Sequence, residues 1–214
     1  MKTLSRSGPL ARFFSLLVVV VSLAACASIP GGERTLTLRP GPQRLPTLRA
    51  QGDLVIATLP GATVTVEPLT AKGLDVYYAR RATLLNPFNL FSTRAKGLLA
   101  FVVRIHNVGR ERIHFDPGQT ALVDQKDRRS TALGYDELYS LFSELHASTT
   151  ALRALQDTVL TNLLVVPPKL DREGLLFFPA PDPDVKTAIL EVGSFYIGSA
   201  EQLLLFEFEV KHPS

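Results

Sequence analysis

The stretch that decides the fold class is Leu98-Leu99-Ala100-Phe101-Val102-Val103-Arg104-Ile105, in which seven of eight residues are apolar. A short apolar run of this composition predicts a buried β-strand. Because consecutive residues are apolar, we expect both faces of the strand to be covered, one by an opposing sheet and the other by additional structure. The stretch therefore predicts a sheet that is packed on both sides.

The sequence on either side of this strand, from residue 48 onward, follows a two-residue period. Apolar or alternating runs end at turn residues such as Pro60-Gly61, as β-strands do. Asn107-Val108-Gly109-Arg110 predicts a hairpin turn that returns the chain through residues 112–115. The pattern predicts a mainly β fold, an antiparallel sandwich. Its further strands are expected at residues 54–59, 63–67, 73–79, 121–124, 174–178, 188–197 and 202–210.

One segment, residues 135–164, does not follow the two-residue period, because its apolar residues recur every three or four positions. This spacing predicts a helical insertion with one apolar face, which includes Leu141, Leu145 and Leu152. Ser148-Thr149-Thr150 is poor in helix formers and rich in capping residues, so one long helix and two shorter helices both fit. The insertion either covers an edge of the sandwich or presents its surface to a partner.

The first 26 residues have the features of an export signal. Lys2, Arg6 and Arg12 precede an apolar run, which is too short to span a bilayer and ends in small residues before the chain's one cysteine. Leu23-Ala24-Ala25-Cys26 resembles the lipobox of bacterial lipoproteins. The resemblance implies that residues 1–25 are a signal peptide and that Cys26 carries covalent lipid, such as palmitate, as a membrane anchor.

The residues after Cys26 define the remaining domain boundaries. Residues 26–46 are rich in Pro and Gly and predict a tether, although residues 35–39 alternate and suit an edge strand. Residues 47–214 are the expected sandwich domain. Ala27 stands where an Asp would resemble the retention signal of inner-membrane lipoproteins, so the pattern favours the outer membrane, facing the periplasm, if the cell is Gram-negative.

The charge balance argues against a nucleic-acid partner. Three of the 23 basic residues precede Cys26, so the rest of the chain carries equal numbers of basic and acidic side chains. A neutral chain has no overall field to attract phosphate polymers.

The order of elements in the second half of the chain resembles an immunoglobulin-like sandwich of bacterial lipoproteins. The resemblance lies in the strand 98–105 followed by Asn107, then in Phe115-Asp116-Pro117 and Leu122-Val123-Asp124, and later in residues 173–178. It implies an immunoglobulin-like antiparallel fold whose role is uncharacterised or protein-binding. It transfers no functional residue.

Candidate metal ligands are few. His106 and His114 are expected on one face of the predicted hairpin, near Asp116, but zinc sites usually need three or four ligands. Two solvent-facing histidines therefore explain the pattern better. Asp182 and Asp184 flank a proline turn that lacks the ligand number of a calcium loop. We expect no metal site, no catalytic residue and no cofactor other than the lipid on Cys26.

An apolar loop at residues 86–91 is a candidate docking element. Phe88 and Phe91 are expected either to fold inward as a cap on the core or to contact a partner, together with the apolar residues of the helical insertion. The leading hypothesis is a non-catalytic, membrane-anchored lipoprotein that binds or assembles with another envelope protein. The alternatives are a lipid- or glycan-binding lipoprotein with a groove under the insertion and, less favoured, an envelope hydrolase.

Overall fold

The computed structural model describes residues 36–81, 84–88, 97–144 and 146–212. Among these residues, no helix has the length and apolar character that crossing a bilayer requires. Three α-helices are present: α1 (Ala71–Ala79), α2 (Tyr135–Glu144) and α3 (Thr149–Thr158). The strands are β1 (Thr37–Pro40), β2 (Leu48–Gln51), β3 (Leu54–Leu59), β4 (Ala62–Leu69), β5 (Leu98–Asn107), β6 (Ile113–Phe115), β7 (Thr120–Asp124), β8 (Arg129–Thr131), β9 (Leu164–Val166), β10 (Asp171–Pro179), β11 (Thr187–Val192), β12 (Phe195–Ile197), β13 (Ala200–Glu201) and β14 (Leu204–Lys211).

The strands form three antiparallel sheets, which confirms the mainly β prediction. The central sheet has the order β10-β5-β4-β3-β2, and the facing sheet has the order β1-β14-β11-β7-β8. A small sheet has the order β13-β12-β6-β9. β5 lies between β4 and β10, so its backbone is hydrogen-bonded on both sides.

The main core lies between the central and facing sheets. Phe101 of β5 packs against Phe208 of β14, with ring centroids 5.4 Å apart. Alternate residues of β10, Leu176 and Phe178, join the same buried cluster. The two sheets therefore share one apolar interior, as in sheet-on-sheet packing.

The opposite face of the central sheet is covered by the three helices, which we call the helical layer. Ala100 and Val102 of β5 and Leu175 and Phe177 of β10 belong to a second buried cluster. Its helical members are Leu74, Tyr77, Tyr78, Leu138, Phe142, Ala154 and Leu155. β5 is thus packed on both faces, as its continuous apolar run predicts.

Helix α1 corrects the prediction of a strand at residues 73–79. Leu74, Tyr77 and Tyr78 are buried, whereas Val76, which a strand would place beside Leu74, is exposed. Burial at i, i+3 and i+4 is the helical period. Thr70 caps the helix by accepting a hydrogen bond from the Gly73 amide at 3.1 Å. Leu74 and Tyr78 fit both periods, which explains the misassignment.

The predicted hairpin between β5 and β6 is also wrong. β6 pairs with β9 and β12 in the small sheet and not with β5. The chain changes sheets after Asn107, whose side chain is fully buried. Its Nδ2 donates to the Glu111 and Val166 carbonyls at 2.8 and 2.9 Å, and its Oδ1 accepts from the Gly109 amide at 3.0 Å. These bonds hold the corner between the two sheets.

The helical insertion consists of two helices, and Ser148 caps the second by accepting from the Ala151 amide. The chain beyond α3 then lies along the open edge of β10, where the Leu160 amide donates to the Leu175 carbonyl at 2.9 Å. A Cβ on Gly174 would lie 2.6 Å from Leu160 Cγ, so only glycine permits this close approach. The insertion therefore covers both a face and an edge of the central sheet.

The segment predicted as a tether contains the first strand. β1 pairs with β14 in the register Thr37 to Lys211, as the alternation at residues 35–39 indicates. Cys26 and the predicted signal peptide, residues 1–25, lie outside the described residues.

Candidate functional site

The residues predicted as a partner surface divide into core residues and residues outside the described chain. Phe88 is buried: its ring stacks on Phe177 at 4.6 Å and meets Phe142 edge-on at 5.1 Å. Leu141 and Leu152 are partly buried against the same cluster. Phe91 and Leu145 lie outside the described residues. Phe88 thus takes the inward-folded alternative.

A buried hydrogen bond joins helices α1 and α3. The Thr158 hydroxyl donates to the Ala154 carbonyl at 2.7 Å, so the Tyr78 hydroxyl donates to Thr158 Oγ1 at 2.8 Å. Burial raises the pKa of the Tyr78 phenol above its ordinary value. This bond fixes α1 against the end of α3.

Beyond the helical layer, the outer face of the central sheet carries a chain of ion pairs. Arg104 pairs with Glu67 at 3.1 Å and with Glu173, which also pairs with Arg81. The Arg81 guanidinium lies 3.6 Å from the centroid of the Tyr77 ring. Burial raises the pKa of Tyr77 to about 12. Each of these four charged side chains is therefore paired with a side chain of opposite charge.

The aspartates at the proline turn are also engaged in ion pairs. Asp184 pairs with Lys126 and with Arg128, and Arg128 further contacts Asp182 and Asp124. Hydrogen bonds from Lys126 and Arg128 lower the pKa of Asp184. Basic side chains therefore occupy the positions that a cation would take.

The two candidate histidines lie on different sheets. His106 is on β5, opposite Thr63 and Asp171, whereas His114 is on β6, opposite Val165 and Tyr196. The prediction that they share one hairpin face is wrong, because the chain turns at Asn107. Across the described part of the chain, no three His, Cys, Asp or Glu side chains are grouped as a metal site.

A cavity forms a groove where the start of α2 meets the chain that leaves α3, and we call it the insertion groove. Its volume is about 700 Å³. It is lined by Gly134, Tyr135, Asp136, Glu137, Gln156, Val159, Leu160, Thr161, Asn162, Leu163 and Leu164. Glu137 caps α2 by accepting from the Gly134 amide at 2.7 Å. Thus the same residues that begin the helix form one wall.

The groove combines an aromatic wall with exposed polar groups. The rings of Tyr135 and Tyr139, one helical turn apart, have centroids 5.8 Å apart. Asp136, Gln156 and Asn162 are exposed around the opening. The sequence leaves a groove under the insertion as an alternative, and the insertion groove lies at the ends of its two helices. The chain that leaves α3 lies along β10, where the Leu160 amide donates to the Leu175 carbonyl, and it forms the other wall.

Comparisons with known proteins give no family assignment. No protein-family model matches the chain, and no curated protein matches it. One solved structure, the yjhA protein of Bacillus subtilis, is similar to part of the chain at 15% sequence identity and a TM-score of 0.29. The similarity covers 44% of this chain and 56% of that protein.

Proposed function

We propose that this chain is a lipid-anchored envelope lipoprotein, non-catalytic, whose immunoglobulin-like sandwich binds another envelope protein through the outer surface of the helical layer. The lipobox-like Leu23-Ala24-Ala25-Cys26 supports the anchor. The packing of the central sheet on the facing sheet supports a sandwich. For a Gram-negative cell we propose the outer membrane as its location, which rests on Ala27.

The observation that carries the binding role is the placement of exposed apolar side chains. Val76 and Tyr139 are each 43% exposed, Leu85 is 65% exposed and Leu163 is 64% exposed. All four belong to the helical layer or to the segments that flank it. These are four of the eight large apolar side chains that are exposed in the described part of the chain. Single exposed apolar residues are ordinary, whereas a contiguous apolar patch is a feature of interaction surfaces, and the proposal takes these four as such a patch. The three helices also contribute no buried residue to the main core between the sheets.

Site-specific photocrosslinking in intact cells tests the proposal. A photoreactive phenylalanine analogue replaces Leu85 or Leu163, and Leu203, which is also 64% exposed but follows β13, serves as the matched control. We expect the same envelope protein to be crosslinked from positions 85 and 163 and not from position 203. Equal labelling from all three positions, or from none, would contradict the assigned surface.

The anchor is tested with Cys26→Ala in the same cells. Loss of the thiol removes the attachment point of the lipid, so we expect the protein to leave the membrane fraction and the crosslink to weaken. Retention of the variant in the membrane at the normal level would contradict lipid anchoring through Cys26.

The insertion groove favours a second candidate function, the binding of a small lipid or glycan. Its volume of about 700 Å³ lies within the range of roughly 300–1,000 Å³ that is typical of small-molecule sites.

A further inference from the structure

We propose that the insertion groove binds an uncharged glycan. This inference deepens the second candidate function. Leu163 borders both the groove and the surface proposed for the protein partner, so the two proposals are tested by separate readouts.

The charge of the lining decides against anionic ligands. Asp136 and Glu137 contribute carboxylates, and the described lining residues include no lysine, arginine or histidine. A phosphate or carboxylate ligand would meet like charges without a compensating cation, which is unfavourable. Phospholipid headgroups and acidic saccharides are therefore disfavoured.

The polar side chains in the groove are available to a ligand. Asp136, Gln156, Thr161 and Asn162 make no side-chain hydrogen bond to another residue in the described part of the chain. In contrast, the aspartates of the proline turn are paired: Asp184 with Lys126 and Asp182 with Arg128. Carboxylates accept hydrogen bonds, whereas amides and hydroxyls both donate and accept. This mixture matches sugar hydroxyls, which also donate and accept.

The apolar part of the groove suits the flat faces of sugar rings. Tyr135 lines the wall, and the ring of Tyr139 next to it is tilted by 37° from the Tyr135 ring. Leu163 and Leu164 add apolar surface on the chain that leaves α3. The C–H face of a pyranose packs on such a surface while its hydroxyls point to the polar rim. An acyl chain would instead leave the exposed rim groups Asp136 and Gln156 facing apolar carbon.

Isothermal titration calorimetry tests the proposal on the full-length protein in micelles of a detergent that has no sugar headgroup. The probes are cellohexaose, maltohexaose and chitohexaose, with an oligogalacturonate as the anionic comparison. We expect at least one neutral probe to bind and the anionic probe to bind at least tenfold more weakly. Failure of all three neutral probes, or preference for the anionic probe, would overturn the inference.

A pair of double variants locates the site. In Gln156→Ala/Asn162→Ala, two exposed groove side chains are removed, and we expect a loss of at least tenfold in affinity. The matched control is Arg153→Ala/Asp157→Ala, which alters the exposed polar face of α3 at a separate cavity. Circular dichroism checks that both variants fold. Equal affinity of the two variants would place the glycan elsewhere and overturn the inference.

The crosslinking readout separates this inference from the proposed protein partner. The groove variant Gln156→Ala/Asn162→Ala should still crosslink from position 85. Loss of glycan binding with crosslinking retained supports both proposals, and absence of crosslinking from the native chain contradicts only the protein partner.

Discussion

Replacement of Gly174 by alanine should loosen the attachment of the helical layer to the central sheet. The added Cβ would lie 2.6 Å from Leu160 Cγ and 2.9 Å from the Thr158 carbonyl oxygen. The leucine side chain can rotate away, but the carbonyl belongs to the last residue of α3 and moves only with the backbone. The Leu160 amide would then separate from the Leu175 carbonyl, which it contacts at 2.9 Å.

The magnitude follows from two opposing effects. Overpacking a filled site costs about 1–3 kcal/mol. Alanine in a strand interior is favoured over glycine by roughly 0.5–1 kcal/mol, since glycine loses more freedom on folding. We therefore expect Gly174→Ala to lower the free energy of unfolding by about 1–2 kcal/mol.

The assay is urea unfolding followed by circular dichroism, combined with amide hydrogen exchange at Leu160. Gly97→Ala is the control, because a Cβ at Gly97 meets no atom within 4 Å. The control should be unchanged or more stable by up to about 1 kcal/mol. If Gly174→Ala unfolds at the same urea concentration as the control, and the Leu160 amide stays protected, the steric reasoning is refuted.

Three further substitutions test the packing, and a fourth tests the dependence of stability on pH. Phe88→Ala should lower the free energy of unfolding by about 3 kcal/mol in urea, because it empties a site among buried rings; a change below about 0.5 kcal/mol would make Phe88 a surface residue. Asn107→Ala should cost about 2–4 kcal/mol in the same assay, since the buried Val166 carbonyl and the partly buried Glu111 carbonyl lose their donor, and native-like stability would contradict the corner assignment. Tyr78→Phe should cost about 1 kcal/mol in urea, because Thr158 keeps its bond to Ala154. Burial raises the pKa of Tyr77 to about 12, so Tyr77 contributes stability that is complete below about pH 10 and is lost as the pH rises toward 12. In urea unfolding measured at several pH values, Tyr77→Phe should therefore lose less stability between pH 10 and pH 12 than the native chain. An equal loss in the variant and the native chain would contradict this assignment.

The parts of the fold that could be predicted are segments in which the spacing of apolar residues fits only a strand or only a helix. β5 is apolar at consecutive positions, and the structure packs it on both faces. The segment from Tyr135 to Thr158 has helical spacing over several turns, and it forms helices. Short segments gave errors: Leu74 and Tyr78, four residues apart, fit a strand as well as a helix.

The groove could not be predicted because it depends on contacts between distant residues. Tyr135 and Asn162 lie at opposite ends of the helical insertion in the sequence, and the fold brings both to one cavity. Likewise, Asn107 looks like an ordinary turn residue in the sequence. Its role at the corner depends on Val166, which approaches it only in the folded domain.

The pairing of β1 with β14 bears on the order in which the domain is made. Thr37 meets Lys211, so almost the whole described chain lies between two paired residues. Such long-range pairing carries a large loop-closure cost and forms late. During synthesis, β1 therefore cannot pair with β14 until β14 has been synthesised. The facing sheet is completed only when the chain is nearly finished, whereas β2, β3 and β4 can pair with their immediate neighbours at once.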